Sequence, residues 1–306
     1  MAPVIETLPL PPEQYLTANG LRLAYEEFGA SNAEPILLIM GLGTQMIAWP
    51  DEFCQGLADL GYRVIRFDNR DIGLSDKIEV ADPISIVSLA LRARLGLSVK
   101  VPYTLHDMAQ DSVGVLEALH LDSAHIVGAS MGGMIGQIIA ARHSDRVRTL
   151  TSIMSTSGNP RLPGARWRAT RQLLSRPKNA SEEQLLTHAL RTWSIIGSPD
   201  FRPSEHDLRQ RLLRSMRRSM YAPGYRHQLA AIIENGDRRA LLSEIQAATL
   251  VLHGREDVLI PVEGGIDTAN CIAQAELTIY EGMGHDLPRE LVPRFIRRID
   301  THIRSN

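Results

Sequence analysis

"HIVGASMGGMIGQIIA" occupies residues 125–140, and its reading decides the fold. An apolar run ends at Val127, and Gly128, Ser130, Gly132 and Gly133 crowd together directly after it. Glycine inside a helix costs about 0.5–1 kcal/mol relative to alanine. Such a cluster therefore marks a backbone shape that larger residues would forbid. Residues 128–132 match G-x-S-x-G, with a strand pattern before and a helical pattern after. In that context small residues let strand and helix approach closely while Ser130 holds a strained turn. Its Oγ is expected at the carboxyl end of a sheet and at a helix N-terminus, where backbone N–H groups favour negative charge.

Outward from this stretch the same alternation repeats. "EPILLIMGLG", "YRVIRFDNRDIGLSD", "VRTLTSIMST", "ATLVLHG" and "AELTIYEG" are short continuous apolar runs ended by turn residues. Unbroken apolar strands are covered on both faces, which predicts a mostly parallel sheet. Helical patterns separate them, over 50–61, 104–121 and from Met131 onward. The fold class expected is α/β, a mostly parallel doubly wound sheet.

The alternation breaks between residues 157 and 245, where four helical patterns follow one another across Pro and Gly turns. Ser181 with Gln184 makes a capping box there. The expected organisation is an extended arm at 1–14, a core at 15–156 and 246–306, and a helical cap at 157–245. A smaller insertion at 79–102 is expected to form a flap beside the same opening.

Composition narrows the function classes. The chain has 306 residues, 44% hydrophobic and 22% charged, with a net charge of −2, which gives no global case for nucleic acid or an acidic partner. Cys54 and Cys271 lie far apart with no C-x-x-C, so they read as reduced thiols. No stretch approaches a membrane span, and the opening residues lack a basic region followed by an unbroken apolar run. The cytoplasm is the expected location. No metal-ligand cluster and no dinucleotide fingerprint is legible, so no cofactor is expected.

A serine hydroxyl needs a base to take its proton. Of ten histidines, His285 in "IYEGMGHDLP" lies on a loop just after the last strand pattern. His125 and His253 lie within or at the end of strands and read as packing or backbone-bonding residues. The acid that fixes the tautomer is read as Asp257, in the loop after "ATLVLHG". Glu256 is its neighbour and points elsewhere, and Asp286 is too near His285 in sequence to reach its ring from behind.

The order Ser130, Asp257, His285, with "LLIMGLG", "FDNRDIGLSD", "GASMGG", "HGREDVLIP" and "GMGH", resembles the α/β-hydrolase superfamily from Tyr15 to about Ile303. The stretch around "IMGLGTQMIAWPDEF" is similar to bacterial carboxylesterases, including methylesterases of aromatic polyketides. The resemblance implies an oxyanion hole made by the backbone N–H groups of Leu42 and Met131. The family often has His-Gly where this chain has Met40-Gly41, a departure that touches loop structure and not the triad.

The reading that follows is a serine esterase acting on a small-molecule ester, with Met154, Trp167 and Trp193 as expected pocket lining. Amide or C–C hydrolysis, or acyl transfer, would use the same three residues. A non-catalytic ligand-binding member need not keep them all, and a dehalogenase or epoxide hydrolase would carry aspartate at 130. Asp68 and Asp71 read as turn residues bracing a loop network. Leu208, Leu212, Met216 and Met220 read as one apolar helical stripe, leaving the arginines of 209–218 to solvent.

Overall fold

The computed structural model describes residues 14–81, 84–175 and 181–306. The arm expected at 1–14 lies, apart from Gln14, outside the described residues. The chain opens with β1 (Gln14–Ala18), β2 (Leu21–Phe28), β3 (Glu34–Ile39), α1 (Asp51–Asp59) and β4 (Tyr62–Phe67). There follow α2 (Ile86–Arg94), α3 (Leu105–Ala118), β5 (Ala124–Ala129), α4 (Met131–Arg142) and β6 (Val147–Ile153). Between β6 and β7 the described residues form only helices: α5 (Trp167–Leu174), α6 (Glu182–Ile196), α7 (Glu205–Arg218), α8 (Ala222–Asn235) and α9 (Arg239–Leu242). The chain closes with β7 (Ala248–Gly254), α10 (Val262–Cys271), β8 (Glu276–Tyr280) and α11 (Val292–Arg304).

The eight strands make one sheet in the order β1-β2-β4-β3-β5-β6-β7-β8. From β4 to β8 every pairing is parallel, and only β1 with β2 and β2 with β4 run antiparallel. The β1–β2 hairpin turns on Asn19 and Gly20, both at positive φ, the signature of a tight hairpin turn. The continuous apolar strands are shared residue by residue between two cores. Leu37, Ile39, Ile65, Phe67 and Ile126 pack toward α3 and α4, whereas Ile36, Leu38, Val64 and Val127 pack toward α1 and α11. This two-sided burial is why the strands read as unbroken apolar runs.

The sheet winds in opposite directions from β3, which lies between β4 and β5. A crevice at the carboxyl ends of strands at such a reversal is the usual place for a ligand. β3 leads there into Gly41 and Leu42, and β5 into Ser130. The capping box at Ser181 and Gln184 is present, with bonds of 3.3 and 2.9 Å. Two expectations for 209–218 need correction. Arg218 is not on the wet side: its side chain is buried and pairs with Asp68 at 2.7 Å. Met220 lies past the end of α7 and is exposed, so the apolar stripe stops at Met216. The segment turns inward at the helix end because a buried carboxylate there draws the guanidinium.

Candidate active site

Ser130 occupies the sharp turn between β5 and α4, with φ +56° and ψ −117°, a conformation that a non-glycine residue adopts only under constraint. Its N–H donates to Ile153 O at 2.8 Å, and its carbonyl accepts from Ser155 Oγ at 2.8 Å. Two glycines make the turn possible. A Cβ on Gly128 would stand 2.2 Å from Gly132 O, and one on Gly132 would stand 2.0 Å from Ile39 O. The elbow thus presses α4 against both its own strand and the end of β3.

His285 brings its Nε2 to 3.0 Å from Ser130 Oγ and its Nδ1 to 2.7 Å from Asp257 Oδ2. The other carboxylate oxygen of Asp257 accepts from the N–H groups of Leu259 and Ile260, both at 2.8 Å. One oxygen is therefore held by the backbone while the other faces the imidazole. His253 lies beneath: its Nε2 donates to Ile260 O at 2.9 Å and stands 3.7 Å from Asp257 Oδ2. Burial pushes its pKa below the ordinary histidine value. It is the backbone-bonding residue the sequence suggests.

Neither competing carboxylate is bonded to the imidazole. Asp286 accepts from the N–H of Ser198 at 3.1 Å and from the Ser198 hydroxyl. Burial raises its pKa above the usual carboxylate range. Glu256 is tied through its backbone N–H to Met283 O at 3.0 Å, and its side chain is not bonded to His285.

The loop after β3 lies against the serine: a Cβ on Gly41 would stand 3.1 Å from Ser130 Cβ. Its polar groups are committed one by one. Met40 O accepts from Asn69 Nδ2 at 2.9 Å, and Gly43 N–H donates to Gln228 Oε1 at 2.8 Å. Leu42 O accepts from Thr44 Oγ1 at 2.9 Å. The N–H of Leu42 has no acceptor among the described residues, and that of Met131 is the first of α4, where no intrahelical acceptor exists. Both unused donors belong to residues adjoining the serine hydroxyl or the glycine packed on it.

Residues far apart in sequence lock this loop. Asp68, fully buried, accepts from Met46 N–H at 2.7 Å, Leu74 N–H at 2.9 Å and Arg218 Nη1 at 2.7 Å. Gln45 Nε2 donates to Ser215 O and Ser219 O at the end of α7, at 2.7 and 2.9 Å. Asp71 accepts from Ile78 N–H at 2.6 Å and faces His227 Nδ1 of α8 at 2.9 Å. Asp68 and Asp71 therefore act as braces and not as a carboxylate pair. The partners Arg218, His227, Gln228 and Ser198 are not legible in the sequence, because nothing local marks them.

The expected pocket residues separate. Trp167 does not line an enclosed pocket: it opens α5 with 66% of its surface exposed. Met154 is a packing residue, buried in the apolar cluster of Ile153, Leu252 and Met283. Trp193, half-buried on α6, lies one turn before Gly197, against which Gly284 packs. Among the described residues no cluster of His, Cys, Asp or Glu could hold a metal ion, and no helix is long and apolar enough to cross a membrane.

A sequence model of the α/β hydrolase fold matches residues 34–288. The chain belongs to the α/β hydrolase fold family. A rhodomycin D methylesterase of Streptomyces sp. strain C5 is 28% identical over 96% of this chain and 99% of its own length. A 2-hydroxymuconate semialdehyde hydrolase of Pseudomonas sp. strain CF600 is also 28% identical, over 92% of this chain and 89% of its own. Among solved structures, the enol-lactonase of Burkholderia xenovorans aligns with a TM-score of 0.72 at 22% identity, covering 95% of this chain and 99% of that one. At that identity the structural likeness speaks to the fold.

Proposed function

We propose that this α/β hydrolase cleaves carboxylic esters of small to medium apolar substrates through an acyl-enzyme. The observation that carries the reading is the unbroken chain of contacts from Asp257 through His285 to Ser130, at 2.7 and 3.0 Å. Ser130 Oγ attacks the ester carbonyl while His285 Nε2 takes its proton. The N–H groups of Leu42 and Met131 hold the oxyanion, each such donor being worth about 2.7–4 kcal/mol. On collapse His285 returns the proton to the leaving alkoxide. Water then repeats the sequence on the acyl-enzyme and releases the acid. Asp257 keeps the imidazole in the tautomer that accepts at Nε2.

In this reading residues 157–245 act as a cap that shapes the substrate pocket, with Trp193 as part of its wall. The name of the Streptomyces relative makes a methyl ester the first natural type to try. The two free cysteines fit a cytoplasmic setting; Cys54 is buried, which pushes its thiol up to about 12 and keeps it inert.

Hydrolysis of p-nitrophenyl esters of increasing chain length, with Ser130→Ala in parallel, tests the proposal. Loss of turnover and of the acyl burst in the variant supports it. An inert but folded wild type, or an equally active variant, rejects it. The Pseudomonas relative favours a second reading, in which the same three residues act on a 2-hydroxymuconate semialdehyde type of substrate. Turnover of that substrate with none of any ester would select it.

A further inference from the structure

The segment 84–100, between β4 and α3, carries an apolar face that no other described part of the chain covers. Ser85 caps α2 by accepting from Ser88 N–H at 3.4 Å, and the helix packs against α8 with Leu89 as its buried residue. At 100° per residue, Val87, Leu91 and Leu95 fall on one stripe turned away from Leu89. They are 76%, 58% and 64% exposed, and Leu97 just beyond them is 49% exposed. Single exposed aliphatic residues are ordinary, but a contiguous stripe of them marks an interaction surface.

The charge along this segment is of one sign. Arg94 borders it on one side and Arg92 on the other, and Lys100 follows. From 83 to 106 the sequence has no Asp or Glu. On α7 several arginines are paired, as Arg209 with Glu183 at 2.7 Å and Arg217 with Glu182 at 3.0 Å. Arg92 instead donates to Ser98 O, at 3.0 and 2.8 Å, a bond that leaves its charge uncompensated.

A second copy of the chain fits this face poorly. A two-fold contact would bring the cations of one stripe against those of the other. A stable interface also covers about 800 Å² per partner around aromatic or methionine anchors, and a nine-residue helix of valine and leucine supplies neither. An anionic lipid surface satisfies both features: aliphatic side chains enter the acyl boundary while arginine and lysine stay among the headgroups. Tyr221 OH donates to Ile78 O at 3.2 Å, so exposed Val80 and Met220 lie on segments joined beside this insertion. The insertion leaves the sheet from the carboxyl end of β4, the edge that also carries Ser130.

We propose that residues 84–100 dock the protein on an anionic lipid surface, with Val87, Leu91, Leu95 and Leu97 inserted and Arg92, Arg94 and Lys100 against the headgroup phosphates. The docked face turns the carboxyl edge of the sheet toward the bilayer, where apolar substrates concentrate. Docking does not depend on which bond the site cleaves.

Co-sedimentation of the full chain with vesicles tests this. Wild-type protein is expected to pellet with mixed phosphatidylglycerol and phosphatidylcholine vesicles, not with phosphatidylcholine alone, and to be released by high salt. Leu91→Ser and Leu95→Ser should each weaken partitioning about tenfold. Arg92→Gln with Arg94→Gln should weaken it about thirtyfold. None of these side chains is bonded to Ser130, Asp257 or His285, so thermal melting and turnover of a dissolved p-nitrophenyl ester should match wild type. Absence of pelleting, or pelleting unchanged by the leucine variants, would overturn the proposal. So would a concentration-dependent dimer abolished by the same variants, which would assign the face to a second copy.

Discussion

Ser198 is bonded to Asp286 through both its N–H, at 3.1 Å, and its hydroxyl, although 88 residues separate them. The same hydroxyl oxygen accepts from Gly284 N–H at 2.9 Å, and Ile196 O accepts from His285 N–H at 2.7 Å. The end of α6 therefore grips the residue before His285, His285 itself and the residue after it. Asp257 of the core holds the imidazole, and the inserted helices hold the backbone that carries it.

Ser198→Ala should consequently lower kcat about tenfold with little change in KM, because the histidine loses registration more than the substrate loses contact. Leaving Asp286 without that donor should also destabilise the fold by about 1–3 kcal/mol. Ser198→Thr keeps the hydroxyl and should restore most of the rate. Steady-state kinetics beside urea unfolding checks both parts; an alanine variant with wild-type kcat would remove the tether from the mechanism.

Asp257→Asn tests the proposed orienting role. The amide can still accept from the Leu259 and Ile260 N–H groups, so the loop should keep its shape. It can no longer favour the productive tautomer, and kcat should fall by about 10⁴. Comparable melting temperatures with such a loss of rate would place the effect in chemistry rather than folding.

Asp68→Ala should be among the most destabilising polar substitutions in the chain. It removes a fully buried carboxylate shared by Met46 N–H, Leu74 N–H and Arg218. The guanidinium loses a buried ion-pair partner, at about 3–5 kcal/mol. Chemical denaturation measures this, and Asp68→Asn, which keeps the acceptor oxygen, should fall between variant and wild type.

His253 supplies a pH dependence of stability. Burial lowers its pKa from 6.5, so the folded chain resists protonating it while the unfolded chain does not. Its contribution is therefore intact above 6.5 and is lost as pH falls from there through the lower folded value. His253→Gln, which can still donate to Ile260 O, should flatten the fall in unfolding free energy over that window. An unchanged slope would assign the acid sensitivity to other groups, such as buried His125, whose pKa is also lowered by burial.

Much of the site was legible before the fold was known. Gly128 and Gly132 flank Ser130 in a pattern that only a tight strand–helix turn requires, and a Cβ at either would strike backbone. His285 and Asp257 are legible because each follows an apolar run that marks a strand of the parallel sheet. The β1–β2 hairpin is marked in the sequence by little more than the Asn-Gly turn of "TANGLRL". Its strands mix polar with apolar residues and pair antiparallel, unlike the continuous apolar runs of the rest. Trp167 opens α5 largely exposed, and residue type alone says nothing of which way an inserted helix turns its faces.

Periodicity and glycine placement are local properties, so the sequence by itself determined the order of strands and helices and the edge to which Ser130, Asp257 and His285 are delivered. Tertiary structure alone decided that Asp68 meets Arg218, that Asp71 meets His227, and that Ser198 grips the histidine loop. Those contacts join residues 86 to 156 positions apart, and no local pattern encodes them. They form because each buried polar group must find a partner once the sheet and the inserted helices close around it.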